Sequence, residues 1–218
     1  MKLALFDVDG TLSDSQAHIL AAMTQAFAGQ GLAVPSRERV LSIVGLSLPI
    51  AIAQLAPAQD AATQAALVEG YKQSYFTGRA ASPAPLYPGA KDCCLRLAAR
   101  EDMLLGMATG KSRRGVDALI AHHGLGGLFV TQQVADDNPS KPHPAMVLAA
   151  LREAGVEPSD AVMIGDTTYD VNMAHAAGVT AIGVSWGYHP VADLVAAGAE
   201  RIVTSFAELE AAIAEMLP

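Results

Sequence analysis

Lys2-Leu3-Ala4-Leu5-Phe6-Asp7-Val8-Asp9-Gly10-Thr11-Leu12-Ser13-Asp14-Ser15 begins with an apolar run and ends it abruptly in two carboxylates one residue apart. Side chains alternate along a strand, so Asp7 and Asp9 share one face if the extended chain continues. Two like charges this close repel unless a cation, a proton or a reacting group lies between them. Gly10 then permits a sharp turn that most residues cannot make. The segment reads as a strand that delivers carboxylates to a reactive site. Asp7 is placed as a nucleophile toward a phosphoryl group and Asp9 as the acid and base. The competing reading is a solvated Asp-Gly turn closing a hairpin, and the rest of the chain bears on the choice.

From Ser15 to Leu86 the pattern is helical, with no convincing strand. Ser15 is placed to cap a helix whose apolar residues Ile19, Ala22, Met23, Ala26 and Phe27 recur every three or four positions, and Gly29-Gln30-Gly31 ends it. Ser36 starts a second piece, Ser47 with Pro49 a third, and residues 61–76 form a longer helix. Ser82-Pro83-Ala84-Pro85-Leu86-Tyr87-Pro88-Gly89 is a proline-rich connector and the clearest boundary. Beyond it, apolar runs at 103–108, 128–130, 161–164, 179–184 and 201–203 alternate with helices at 90–100, 112–123, 142–154, 171–177 and 206–216. Strands that are apolar throughout and alternate with helices indicate a parallel sheet covered on both faces. The expected organisation is an α/β core from residues 1–14 and 87–218, with an all-helical insert at 15–86.

The chain has 218 residues, half of them apolar, which is enough for a large core with a lid. A net charge of -8 argues against a nucleic-acid polymer or a membrane surface as partner. It leaves room for a small anionic substrate, because a local cation inverts the field of one site. Cys93 and Cys94 are adjacent, so an ordinary disulfide framework is not available. No signal-peptide pattern or membrane-length apolar stretch is present. The expectation is a cytoplasmic protein, monomeric or a homodimer.

The polar residues fall at the ends of the apolar runs. The first run ends in Asp7, the second in Thr109-Gly110-Lys111-Ser112, and the run at 161–164 in Gly165-Asp166-Thr167-Thr168-Tyr169-Asp170. In a parallel sheet these carboxyl ends share one edge. The Thr109 hydroxyl and the Gly110 N–H suit a phosphate, and Lys141, within Pro139-Ser140-Lys141-Pro142-His143-Pro144, supplies a lasting positive charge. Mg²⁺ prefers hard oxygen ligands, which Asp7 and Asp166 offer as carboxylates and Asp9 as a backbone carbonyl. Asp170, one turn after Asp166, can stand behind them, holding a metal-bound water or Lys141. Lys111 is a rival cation for the phosphate but is read as solvated. His122, His123 and His143 lack metal-ligand spacing and are read as structural or exposed.

Asp7-Val8-Asp9-Gly10-Thr11-Leu12, Thr109-Gly110, Lys141 and Gly165-Asp166 with Asp170 resemble the four motifs of the haloacid dehalogenase superfamily of phosphohydrolases. The resemblance spans nearly the whole chain, including the helical cap. It implies a Rossmann-like core, Mg²⁺ dependence and an aspartyl-phosphate intermediate. The implied roles are Asp7 as nucleophile, Asp9 as general acid then base, Thr109 as phosphate ligand, Lys141 as neutralising charge and Asp166 as metal ligand. Gly183-Val184-Ser185-Trp186-Gly187-Tyr188 and Gly198-Ala199 are similar to the phosphoglycolate phosphatase-like branch. True dehalogenases lack the second aspartate of the first motif, which is present here as Asp9. A β-phosphoglucomutase-like sugar phosphomutase is an alternative, disfavoured because Gly45-Leu46-Ser47-Leu48-Pro49 lacks the arginine that such caps carry. A non-catalytic regulator that binds a phosphorylated ligand would show damaged motifs, and none is damaged. The expected substrate is a small phosphorylated metabolite; phosphoglycolate, a sugar phosphate, a nucleoside monophosphate and pyrophosphate stay open. Gly45 and Ser47 of the cap are expected to reach the leaving group. Arg37, Arg39, Lys72, Arg79, Arg113 and Arg114 are candidates to meet a substrate carboxylate.

Overall fold

The computed structural model spans residues 1–218, and the side chains of residues 79–81 lie outside the described residues, so the expectation for Arg79 is not addressed by it. Strands β1 (Lys2–Phe6), β2 (Met103–Ala108), β3 (Phe129–Gln133), β4 (Ala161–Gly165), β5 (Thr180–Val184) and β6 (Arg201–Val203) form one sheet. Every pairing is parallel and the order is β3-β2-β1-β4-β5-β6. The α/β doubly wound core expected from the alternating pattern is therefore present.

The period-two alternation of β1 explains why it lies at the centre. Leu3 and Leu5 enter one buried cluster, with Met146, Ala150 and Val171, while Ala4 and Phe6 enter the opposite one, with Cys94, Val116 and Leu209. Helices α1 (Gln16–Gly29), α2 (Arg37–Leu41), α3 (Leu48–Leu55) and α4 (Ala61–Ala81) separate β1 from the rest of the sheet. The helices that follow are α5 (Ala90–Ala98), α6 (Arg113–His123), α7 (Ala145–Ala154), α8 (Thr168–Ala176), α9 (Val191–Ala196) and α10 (Phe206–Met216). One face of the sheet is covered by α5, α6 and α10, the other by α7, α8 and α9.

The first four helices bury a cluster of their own around Ile19, Met23, Phe27, Ile52 and Leu67. The departing and returning chains meet where the N–H of Asp14 donates to the carbonyl of Pro85 (2.9 Å) and that of Tyr87 to Leu12 (3.0 Å). Among the described residues no helix is long and apolar enough to cross a membrane. Cys93 and Cys94 are free and buried, and burial pushes both thiols up to about 12.

Several boundaries differ from expectation. β3 runs on through Thr131, Gln132 and Gln133, which carry no apolar signal. Thr131 and Gln133 are buried yet satisfied, because Gln133 donates to the Thr131 hydroxyl and that hydroxyl to Glu153. α7 begins three residues later than expected, since Pro142 and Pro144 precede it. Helix α9 was not anticipated from the sequence. Ser15 occupies the N-cap position of α1 but makes no capping bond; its hydroxyl pairs with Tyr188 Oη at 3.2 Å.

Leu5 is fully buried on the central strand. Leu5→Ala is expected to lower unfolding stability by about 2–5 kcal/mol, read by urea denaturation. A loss within experimental error would mean that the helical layer over this strand is not closely packed.

Candidate active site

β1 is flanked by β2 and β4, so the strand ends bring Asp7, Thr109 and Asp166 to one edge of the sheet. The ladder carries on past the strands: Asp7 N–H donates to the Ile164 carbonyl at 2.9 Å and Thr109 N–H to Gln133 at 3.0 Å. The chain order changes direction between β1 and β4, and ligands of open parallel sheets lie at such a crevice.

Behind Asp7 stands Lys141, with Nζ 2.8 Å from Asp7 Oδ1 and 2.6 Å from Asp170 Oδ1, all three side chains buried. Asp170 Oδ2 accepts from the Thr167 N–H (3.1 Å) and hydroxyl (2.7 Å), closing a capping box at the start of α8. The Asp166 carboxylate accepts from the Thr11 hydroxyl at 3.0 Å and the Tyr188 N–H at 2.9 Å. Gly10, at φ +93°, lies so close to Asp166 that a Cβ there would collide with the carboxylate. Asp7 Oδ2 is buried and accepts no hydrogen bond.

Asp7, Asp166 and Asp170 each offer an oxygen, all within 4.8 Å of one another. Lys141 pairs with two of these carboxylates, Asp7 and Asp170. Burial pushes Asp7 up to about 6 although Lys141 pulls it down, and burial with the neighbouring carboxylates raises Asp166 well above the usual range. Lys141 stays protonated, since Asp170 and Asp7 outweigh the opposing effect of burial. The cluster is short of positive charge, its donors are hard oxygens, and one of them is unpartnered. These residues fit a divalent cation such as Mg²⁺. Asp170 belongs to the triad by position, but both its oxygens are engaged by Lys141 and Thr167, so it stands behind the other two as a support.

Asp9 turns away from this cluster. Its carboxylate accepts from Lys111 Nζ at 2.6 and 2.8 Å, and the same ammonium lies 3.0 Å from the Tyr75 hydroxyl of α4. The expectation of a solvated Lys111 is therefore overturned: α4 covers it, its side chain is 8% exposed, and Asp9 and Tyr75 keep it charged despite burial. The buried Thr109 hydroxyl accepts from the Lys111 N–H at 3.2 Å. A Cβ on Gly110 would lie 2.5 Å from the Gly45 carbonyl oxygen and 2.8 Å from that of Leu46, so a larger residue would push the helical insert off the sheet edge. Ser47 N–H donates to Ser140 Oγ at 2.9 Å, and the Tyr169 hydroxyl to the Ser42 carbonyl at 3.0 Å.

Between the two parts lies a cavity of about 530 Å³, lined by Asp7, Asp9, Thr109, Gly110, Gly45 and Ser47 among others. Lys141, Asp166 and Asp170 are outside that lining, and of the three Lys141 contacts Asp7 directly. Of the other cationic candidates, Lys72 and Arg114 line the cavity. Arg37 donates to Gln16, Arg39 to the Gln54 carbonyl, and Arg113 to Gln132 and Asp137, none of them on the lining. His123 meets the Ala84 carbonyl, as a structural residue would.

Sequence reasoning missed the loop after β5 as part of the site. Its Tyr188 N–H holds Asp166, Gly187 packs against the same carboxylate, and Trp186 Nε1 donates to the Thr11 carbonyl at 3.0 Å. Thr11 and Thr167 were also missed. Gly187 was the visible signal, because a glycine beside a strand end permits close approach.

The profile of the haloacid dehalogenase-like hydrolase family matches residues 4–184. A protein of Dickeya dadantii named "Probable phosphatase IndB" is 35% identical over 221 residues, covering 99% of this chain and 94% of that protein. A phosphoglycolate phosphatase of Haemophilus influenzae is 28% identical over 216 residues, covering 95% of this chain and 96% of the relative. The solved structure of a hydrolase from Pseudomonas syringae has the same fold, with a TM-score of 0.88 at 23% identity and full coverage of both chains. This chain belongs to the haloacid dehalogenase-like hydrolase family and is a phosphatase of its phosphoglycolate phosphatase-like branch.

Proposed function

We propose that this phosphatase hydrolyses a small phosphomonoester with Mg²⁺, through a phosphoryl group carried on Asp7. The observation that carries the reading is the orphaned Asp7 Oδ2. It is buried and without a hydrogen-bond partner, while Oδ1 is anchored by Lys141. The active-site cavity reaches Asp7, so the carboxylate is oriented and its nucleophilic lone pairs are not spent on a donor.

In this reading an Asp7 oxygen forms a bond to phosphorus as the ester oxygen leaves. Asp9 gives that oxygen its proton, so the product is an alcohol. A water oxygen then attacks phosphorus, Asp9 takes up one of its protons, and the Asp7–phosphorus bond breaks to release inorganic phosphate. Thr109 and the Gly110 N–H hold the phosphoryl oxygens, and Lys141 offsets charge on Asp7. Asp7, Asp166 and the Asp9 carbonyl would hold Mg²⁺, with Asp170 positioning Lys141. Bound there, Mg²⁺ would offset repulsion between carboxylate and phosphate. Asp9 first has to part from Lys111, and an arriving phosphate is an alternative partner for that ammonium.

The proposed division is a core of residues 1–14 and 87–218 with a cap at 15–86, hinged where Asp14 and Tyr87 bond across the connection. Gly45 and Ser47 bring the cap to the sheet edge, where they are positioned to reach the leaving group. Relatives named for phosphoglycolate place that compound among the first to assay.

Phosphate release from a panel of phosphorylated metabolites should require Mg²⁺ and stop with EDTA. Asp7→Asn should abolish it, because an amide is a poor nucleophile; normal turnover in that variant would sink the mechanism. Asp9→Asn should slow turnover about 100- to 10,000-fold and accumulate ³²P-labelled protein. Full activity without labelling would remove Asp9 from the acid–base role.

A further inference from the structure

The cavity is large for a two-carbon leaving group, and the side supplied by the sheet differs in character from the side supplied by the insert. Near the sheet edge it is polar, with Asp7, Asp9, Thr109 and Lys111. The wall supplied by the helical insert is mostly aliphatic and aromatic: Ile19, Met23, Ile43, Leu48, Tyr71 and Phe76 line it, with Ser47 and Lys72 as its polar members. A volume of about 530 Å³ falls in the range that holds a compact organic ligand rather than a bare oxyanion. The basic groups on the lining already have neighbours. Lys111 faces Asp9 and Tyr75, Lys72 lies 2.8 Å from Glu69, and the Arg114 guanidinium rests 3.7 Å over the Phe76 ring. Tyr71 and Tyr75 stack at 5.6 Å with an interplanar angle of 17°, giving the wall a flat aromatic element. Most of the insert's contribution is carbon surface, so sugar hydroxyls placed there would find few partners for the water they lose, whereas an apolar body would be released from water.

We propose that the leaving group of the substrate is an apolar organic body, aryl or alkyl and larger than glycolate, lying against Ile43, Leu48, Tyr71 and Phe76 while its phosphate meets Asp7. This rests on the phosphatase reading and names the substrate class for the same site. Phe76 is 42% exposed, which places it at the mouth, where a longer leaving group would emerge. The chemistry at phosphorus is unchanged: the bond from phosphorus to the ester oxygen breaks, and the apolar alcohol departs with the proton from Asp9.

The test is steady-state hydrolysis by the full chain with Mg²⁺ of ethyl, hexyl and 2-phenylethyl phosphates, beside phosphoglycolate and glucose 6-phosphate. The three simple alcohols are similar leaving groups, so differences among them report binding. Hexyl and 2-phenylethyl phosphates should exceed ethyl phosphate and phosphoglycolate in kcat/KM by about tenfold or more. Leu48→Ser should reduce the phenylethyl-to-ethyl ratio, chiefly through KM. Phe76→Ser, at a partly exposed position that puts the fold at less risk, should shift it in the same direction. Preference for phosphoglycolate, ethyl phosphate or glucose 6-phosphate, with activity still lost in Asp7→Asn, would overturn this inference and leave the phosphatase standing. Failure to hydrolyse hexyl or 2-phenylethyl phosphate while the wider metabolite panel yields Mg²⁺-dependent release would overturn this inference alone, and no release from any compound of either set would overturn both.

Discussion

The burial of Asp7 beside Lys141 is the constraint on which the rest of the site depends. Taking a carboxylate and an ammonium out of water is costly unless geometry and further hydrogen bonds compensate. Here Lys141 bridges two carboxylates, and the second, Asp170, is fixed by the first turn of α8. The bridge holds Asp7 at the end of the central strand with one oxygen committed and one unpartnered. Asp166 adds a third carboxylate without a further lysine, so the three acidic groups could hold a cation. The glycines at 10 and 187 leave room for Asp166 where any Cβ would intrude.

Much of this was legible in the sequence because it depends on periodicity and on position relative to strand ends. Apolar runs marked all six strands, and the polar residues after three of them marked the edge where Asp7, Thr109 and Asp166 meet. Asp170 followed from its place one helical turn after Asp166, and the structure brings it beside Asp7 and Asp166. The parts that were not legible depend on contacts across the fold. Lys111 follows Thr109-Gly110 as a solvated helix-start lysine would; only the approach of Tyr75, from a distant helix, shows why it is buried. The Tyr188 contact to Asp166 uses a backbone N–H, which no side-chain pattern discloses. Thr131 and Gln133 extend β3 because Glu153 satisfies the first and the first satisfies the second. The apolar signal of that strand therefore stopped too early.

The sheet and the helical insert line different sides of one cavity. The sheet edge presents carboxylates, a hydroxyl and a lysine at Asp7, Asp9, Thr109 and Lys111. The helical insert meets that edge through backbone at Gly45, Leu46 and Ser47, and through Tyr75 on Lys111. Asp9 is therefore tied to a lysine that also contacts the insert. Asp9 and helix α4 share one ammonium, that of Lys111.

Trp186 is the single tryptophan of the chain. Its indole lies between the rings of Tyr87 and Phe206 and donates to the Thr11 carbonyl, two residues after Asp9. Tyr87 also stands at the crossing of the chains that lead into and out of the insert. Indole emission responds to the polarity and hydrogen bonding around the ring. The protein therefore carries an intrinsic optical reporter where the loop that holds Asp166 meets the crossing of the chains into and out of the insert, free of background from any other tryptophan.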